Sequence, residues 1–212
     1  MIMKTLKVSF IGNKEFGDIE QLHSILNEQQ KHILEFHLWK KESDYKPGVC
    51  FSIAHNNRCI LLKFFVEEKE IRANVTKTNG AVWEDSCVEF FVSFDETGYY
   101  NFEFNCIGTI LAAFRKSKNE RTVLSEDTLE NVETYTKLNK QNHCFNWEML
   151  IVIPVELFVQ HSLQSLHGIV CKANFYKCGD GLSQPHYLAW SDIKADKPNF
   201  HLPEFFSELR FA

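Results

Sequence analysis

The chain has 212 residues, of which 44% are hydrophobic, with 19 phenylalanines and a formal net charge of −5. A β-rich chain of this length does not have to fold as several domains. We therefore predict a single domain over residues 1–212 with a sizeable apolar core. The negative charge and the absence of a Lys/Arg run argue against nucleic acid or an anionic membrane surface as a partner.

The first predicted element is a short helix. Ile19, Leu22 and Leu26 have helical spacing, and Asp18 is placed to cap the N-terminus of that helix. The segments that follow have the patterns of β-strands, and Asn56-Asn57 is predicted as the turn of a hairpin. The predicted strands of this part of the chain are residues 34–39, 49–53 and 60–66.

The clearest pattern is a β-hairpin formed by residues 88–94 and 99–105, which both alternate apolar and polar side chains. A three-residue loop at 96–98 pairs every apolar residue of one face with another apolar residue, whereas a four-residue loop would slip the register by one. In the predicted register Glu89 stands directly opposite Asn105. One face of the hairpin is then core, and the other is predicted to be wet and polar.

The rest of the chain also favours strands. Residues 114–143 are mostly polar, and the pattern of 170–176 turns Asn174 outward. About nine or more strands without a βαβ rhythm predict an all-β fold, an antiparallel two-sheet β-sandwich with short peripheral helices. The predicted elements of this part are strands at 132–135, 147–153 and 170–176 and a helical turn within 155–164.

The polar face of the hairpin has the side chains that a sugar site needs. A sugar ring is bound by an aromatic side chain against its apolar face and by fixed polar groups around its hydroxyls. Glu89 and Asn105 offer such groups, and Trp83 lies at the edge of the face. The same pattern also fits a solvated strand face with a tryptophan packed at its rim. The residues alone leave both interpretations open.

Several segments resemble one known family. Residues 82–91, VWEDSCVEFF, resemble the W-x-D-S/D-x-V-E-x-F signature of family 9 carbohydrate-binding modules, which belong to the DOMON-like superfamily. The resemblance covers most of the chain from about residue 46 to residue 211, with Ser207 where the family usually has a glycine. Further matching segments follow in the family's order at residues 100–108, 147–154, 173–176, 189–191 and 200–209.

The resemblance implies a β-sandwich that holds a terminal sugar between two tryptophans, with a carboxylate and amide or basic groups on its hydroxyls. Carried over by position, Trp83 and Trp190 resemble the two aromatic plates, and Glu89 resembles the carboxylate. Asn105 and Asn174 are added because they are predicted to share the same polar face.

Other family features are carried over less directly. The arginine that often lies on the family's binding face is assigned to no residue, because Arg115 lies beyond the hairpin and Lys177 has the wrong strand parity. We expect no cofactor and no metal site. Family members also bind structural calcium, for which Glu84, Asp85 and Asp180 offer oxygen ligands without an EF-hand spacing.

The predicted function is therefore non-catalytic binding of a sugar or short oligosaccharide. One alternative is a glycoside hydrolase of the xylanase or endoglucanase kind, acting in carbohydrate catabolism, with Glu89 and Glu103 as its carboxylate pair. Another is a degenerate family member that serves as a protein-interaction scaffold. The sequence predicts no specific protein partner.

The cysteines and the N-terminus predict the compartment. The seven cysteines include no C-x-x-C pair, and secreted proteins of this size seldom carry so many unpaired thiols. The first residues lack an apolar run long enough for a signal peptide, and no transmembrane segment is predicted. We therefore expect a cytoplasmic protein in which all seven thiols are free.

Overall fold

The computed structural model describes residues 4–12, 19–41, 43–117 and 119–212. The helices are α1 (Ile19–Glu28) and α2 (Glu126–Leu129), and 3₁₀ turns lie at Val82–Glu84, Val155–Leu157 and Pro203–Phe205. The strands are β1 (Thr5–Phe10), β2 (His32–Ile33), β3 (Phe36–His37), β4 (Gly48–His55), β5 (Cys59–Glu68), β6 (Cys87–Asp95), β7 (Gly98–Asn105), β8 (Ile110–Arg115), β9 (Arg121–Val123), β10 (Glu133–Gln141), β11 (Cys144–Pro154), β12 (Val170–Cys178), β13 (Tyr187–Ala189) and β14 (Ser207–Phe211).

The strands form a continuous hydrogen-bonded path in the order β10-β11-β5-β4-β1-β14-β12-β6-β7-β8-β9. We call β10-β11-β5-β4 the back sheet and β14-β12-β6-β7-β8-β9 the front sheet. β1 joins the two, because Thr5–Val8 pair with β14 and Ser9–Phe10 pair with β4. The predicted all-β sandwich is confirmed, but both pairings of β1 are parallel where the sequence predicted antiparallel strands.

The main core lies between the inner faces of the two sheets. Phe175 of β12 stacks on Phe51 of β4 across the interface, with ring centroids 3.8 Å apart. Phe90 of β6 stacks on Phe175 from the neighbouring strand at 5.0 Å. All three rings are fully buried, and burial of one such ring contributes about 1.5–3 kcal/mol to folding. Every second side chain of a strand points to the same face of its sheet. The alternating apolar residues therefore form the interface at which the two sheets pack.

Helix α1 covers the outer face of the back sheet. Its buried Leu22 and Leu26 pack against Leu61 and Leu150, so the helical spacing in the sequence is confirmed. The proposed cap, Asp18, lies outside the described residues.

The outer face of the front sheet is also covered, by residues 36–39 and 193–206. The predicted wet face is therefore wrong. Glu89 is 3% exposed and Glu103 is 4% exposed, because the polar groups lie beneath these segments rather than in open solvent. A second apolar cluster surrounds them, with Leu38, Phe91, Tyr99, Tyr176, Phe200 and Phe206 among its members.

The β6–β7 hairpin has the predicted faces but a different register. Glu89 pairs with Glu103 and Cys87 pairs with Asn105, so the pairing differs by two residues from the prediction. The turn is tighter than expected because the Asp95 carboxylate accepts hydrogen bonds from the backbone and hydroxyl of Thr97, at 2.8 and 2.6 Å. The register shifts once more at an irregularity between Val92 and Asp95, before the regular pairing of the two strands begins. A shift of two residues leaves every side chain on its predicted face.

A fully buried charge network lies inside the sandwich. The Lys177 ammonium donates hydrogen bonds to the Cys178 carbonyl and to His186 Nε2, both at 2.8 Å, and lies 2.9 Å from Glu68 Oε2. Trp147 Nε1 donates to Glu68 Oε1 at 2.7 Å. Because an ammonium can only donate, His186 is neutral and accepts at Nε2. Burial, followed by the charge of Lys177, lowers the pKa of His186 to about 3.

This depressed pKa predicts a loss of stability in acid. Below the ordinary pKa of about 6.5 the unfolded chain takes up a proton on His186, while the folded chain does so only near pH 3. The free energy of unfolding therefore falls as the pH drops from about 6.5 towards 3. In His186→Gln, whose amide oxygen still accepts from Lys177, urea unfolding is expected to show a smaller loss between pH 7.5 and pH 5. Equal losses in both proteins would contradict the assignment.

Candidate functional site

A pocket of about 270 Å³ opens on the outer face of the front sheet. Glu89 of β6 and Glu103 of β7 lie side by side as cross-strand partners and line it. Arg115 of β8 and Arg121 of β9 form the next lining pair and are also cross-strand partners. The pocket lining thus contains two glutamate side chains and two guanidinium groups.

Hydrogen bonds fix the orientation of these polar groups. Arg115 Nε donates to Asn101 Oδ1 at 3.2 Å, and Asn101 Nδ2 donates to Glu103 Oε1 at 3.0 Å. The Cys178 thiol lies 3.0 Å from Glu89 Oε1 and donates to it. Both carboxylates are therefore held by neighbouring donors before any ligand arrives, which reduces the entropy that binding would lose.

Burial dominates the electrostatics of the pocket. It raises the pKa of the Glu103 carboxyl to about 7, against the effect of Arg121 and Arg115, which lower it. Burial also raises the pKa of Glu89 well above its usual range, and the proximity of Cys178 and Glu103 adds to this effect. The pKa of Asp180, which also lines the pocket, is raised to about 6. Carboxyl groups with raised pKa values in a cleft are typical of functional sites.

Trp83 enters the pocket from the 3₁₀ turn Val82–Glu84 and is 36% exposed. The turn is fixed from below by Asp85, whose Oδ2 accepts hydrogen bonds from Val75 N at 2.8 Å and from Asn105 Nδ2 at 2.9 Å. On the other side, Asp180 N donates to the Trp83 carbonyl at 3.0 Å. The 3₁₀ turn therefore brings Trp83 over the sheet, where it lines the same pocket as Glu89.

A second tryptophan, Trp39, lines the same pocket and was not predicted as a site residue. Its backbone is left-handed, with φ of 48°, and its Nε1 donates to the Ala195 carbonyl at 2.7 Å. Its ring packs edge-on against Tyr187 and tilted against Phe200, at centroid distances of 5.5 and 5.7 Å. The indole is thus held in place by residues distant in the chain.

Residues 198–201 complete the pocket and are held against the sheet by aromatic contacts. Phe200 stacks on Tyr176 with ring centroids 4.2 Å apart. His201 stacks on Phe91 at 5.0 Å, and its Nδ1 lies 3.2 Å from the Tyr99 hydroxyl. This segment therefore forms a fixed wall.

Trp190, predicted as the second plate, is not in the pocket. It is 4% exposed and belongs to the main core. Its ring stands edge-on to Phe175 and Phe51, with centroid distances of 5.6 and 6.2 Å. The predicted convergence of Trp83 and Trp190 is therefore wrong, because Trp190 points between the sheets.

Asn105 and Asn174 are also absent from the pocket lining. Asn105 is fully buried, and its Nδ2 donates to the Asp85 carboxylate, which supports the Trp83 turn. Asn174 bonds the backbone of Ser191 at both ends of its amide, with distances of 2.9 and 3.1 Å. Both asparagines position the chain, so their predicted place among the sugar contacts is corrected.

The oxygen ligands considered for calcium do not assemble into one cluster within the described residues. Asp85 is fully buried and paired with Arg72, whose Nε lies 3.2 Å from Oδ1. Glu84 also lies near Arg72, at 3.7 Å. The Asp85 carboxylate thus already has a guanidinium group and hydrogen-bond donors as its partners.

Two further findings concern the whole described chain. No helix in residues 4–12, 19–41, 43–117 and 119–212 has both the length and the apolar character to cross a membrane. The seven cysteines are all free thiols in the structure.

The chain is similar to known proteins over almost its whole length. The family model for carbohydrate-binding family 9 matches residues 20–211. A structure from Bacteroides uniformis, described as that of a presumed carbohydrate-binding protein, is 41% identical, covers 100% of both chains and has a TM-score of 0.93. No match was found among curated proteins.

Two solved structures of a family 9 module from Caldicellulosiruptor kristjanssonii share the fold at low identity. The complex with glucose is 15% identical over 99% of this chain and 96% of that chain, with a TM-score of 0.67. The complex with cellotriose is 14% identical over 98% of this chain and 93% of that chain, with a TM-score of 0.68.

Proposed function

The chain belongs to carbohydrate-binding family 9, and from this we propose that it binds a glucose-type sugar or a short β-glucan in the pocket between Trp39 and Trp83. The observation that carries the proposal is the convergence of these two tryptophans, from separate segments, on a pocket lined by carboxylate and guanidinium groups. The sugars bound by the Caldicellulosiruptor kristjanssonii module, glucose and cellotriose, supply the ligand class.

The aromatic residues supply the apolar surface that a sugar ring needs. Indole rings present large flat faces, and the C–H face of a pyranose packs on such a face. Trp39 is held by its bond to the Ala195 carbonyl, and the backbone of Trp83 is held by Asp180. Because both segments are fixed in advance, binding would lose little conformational entropy at the aromatic contacts.

The polar lining supplies partners for the hydroxyls. The Glu89 and Glu103 oxygens accept hydrogen bonds, whereas Arg115 and Arg121 only donate. Each sugar hydroxyl both donates and accepts, so a wall with both kinds of group can satisfy neighbouring hydroxyls. Hydrogen bonds donated by the two guanidinium groups are charge-assisted, and such bonds are about twice as strong as neutral ones.

The test is calorimetric titration of the full chain with glucose and cellotriose. We expect one site per chain, and a loss of affinity of about tenfold to a hundredfold in Trp39→Ala and in Trp83→Ala, which corresponds to about 1–3 kcal/mol. The matched control is Tyr135→Ala, which removes an exposed aromatic side chain on β10. A control that weakens binding as much as the tryptophan variants, or no binding by the intact chain, would contradict the proposal.

A second candidate function is hydrolysis of a glycosidic bond. It is favoured by the cross-strand pairing of Glu89 and Glu103, because glycosidases use two neighbouring carboxyl groups. The same preparations are incubated with cellotriose, and newly released reducing ends are measured. We expect none. Turnover that disappears in Glu89→Gln and in Glu103→Gln would establish the enzyme instead, and the absence of both binding and turnover would favour a protein-interaction scaffold.

A further inference from the structure

Two cysteines and a glutamate form a buried cluster at the edge of the pocket. Cys87 of β6 and Cys178 of β12 are direct cross-strand partners on the outer face of the front sheet, and Glu89 is the next residue of β6 on that face. The two sulfur atoms and a carboxylate oxygen all lie within 4.8 Å of one another. The exposed fractions are 0% for Cys87, 2% for Cys178 and 3% for Glu89.

We propose that Cys87, Cys178 and Glu89 bind a thiophilic divalent cation of the zinc class. No other described trio of Cys, His, Asp or Glu side chains brings its ligand atoms this close. The proposal concerns a separate ligand from the sugar and does not rest on the sugar-binding function.

The donor set suits zinc better than calcium or magnesium. Zinc takes thiolate ligands at about 2.3 Å and carboxylate oxygens at about 2.0–2.2 Å, which in a tetrahedral site separates ligand atoms by roughly 3.4–3.8 Å. Calcium and magnesium prefer sites made of oxygen alone. Cys178 Sγ and Glu89 Oε1 are already 3.0 Å apart. Movements of about 1 Å or less would therefore bring the three atoms to coordination distances.

The surroundings leave room for a fourth ligand. Cys178 and Glu89 both line the pocket, so a water molecule could take the fourth position from that side, as in zinc sites with three protein ligands. Binding converts both thiols to thiolates, whose protons pass to the buffer.

The experiment uses reduced, metal-free full-length protein without sugar and titrates it with Co²⁺ as a spectroscopic substitute for Zn²⁺. We expect one cobalt per chain, a near-ultraviolet sulfur-to-cobalt charge-transfer band, displacement of cobalt by Zn²⁺, and a higher thermal midpoint with either metal. In Cys87→Ser and in Cys178→Ser the band should weaken strongly and the zinc affinity should fall at least a hundredfold.

Cys50→Ser is the matched control, because Cys50 is a half-buried thiol on β4 of the back sheet. Glu89→Gln keeps both thiols and should retain the band while binding zinc at least tenfold more weakly. This variant tests the proposal even if a cysteine variant folds poorly. The proposal is overturned if no charge-transfer band appears, if the band survives unchanged in both cysteine variants, or if Cys50→Ser abolishes it equally.

Discussion

Replacing Trp190 with alanine is expected to lower the free energy of unfolding by about 3–5 kcal/mol. The indole is 4% exposed and fills the space beside Phe175 and Phe51 in the main core, so its removal leaves a cavity between the two sheets. Removing the pocket residue Trp83, which is 36% exposed, should cost about 1 kcal/mol or less. Urea denaturation of both variants measures the difference.

This comparison separates the two tryptophans that the sequence treated as equivalent. Trp190→Ala is expected to lose stability first and to lose ligand only as the fold is lost, whereas Trp83→Ala should lose ligand and keep its fold. A Trp190→Ala protein that is as stable as the unmodified chain but no longer binds sugar would show that Trp190 belongs to the binding surface after all.

Replacing Lys177 with methionine is expected to lower the free energy of unfolding by a similar amount, about 3–5 kcal/mol. Methionine preserves most of the side-chain volume but removes the ammonium that faces Glu68, and both side chains are fully buried. The glutamate would then remain as an uncompensated buried charge. Chemical denaturation at neutral pH gives the value.

The double variant Lys177→Met with Glu68→Gln tests the cause. It should lose less stability than the single Lys177 variant, because the glutamine is neutral and still accepts from Trp147. The matched control is Lys137→Met, since Lys137 pairs with Glu20 at the surface at 2.9 Å and should contribute less than about 1 kcal/mol. If the double variant is no more stable than Lys177→Met, the loss comes from packing rather than charge.

The sequence predicted the sandwich and the faces of its central hairpin because both depend on local alternation. Glu89 and Asn105 share a face as predicted, since the observed register differs by an even number of residues. The register itself depends on the turn, and the Asp95–Thr97 hydrogen bonds and the irregularity before Asp95 are details that apolar pairing alone does not reveal.

The composition of the pocket depends on tertiary structure and was predicted only in part. Trp83 and Glu89 do line it, but Trp39 reaches it through a left-handed turn and contacts with residues 187–200, which leave no local pattern. Arg115 was not assigned from the sequence because it pairs with Tyr99 at the far end of β7, and its link to Glu103 runs through the Asn101 side chain. Trp190 was assigned to the pocket from its position in the family motif. A motif does not show whether a side chain points into the core between the two sheets or into the pocket.

The most direct test of sugar binding in this pocket is a glucose titration followed through the indole N–H signals in a ¹H–¹⁵N spectrum. The chain has four tryptophans, and single Trp→Phe variants assign their signals. We predict that the Trp39 and Trp83 signals shift together along one saturable curve, while those of the buried Trp147 and Trp190 stay in place. Saturable shifts confined to Trp147 or Trp190, or no shift of any indole signal at saturating glucose, would contradict sugar binding in this pocket.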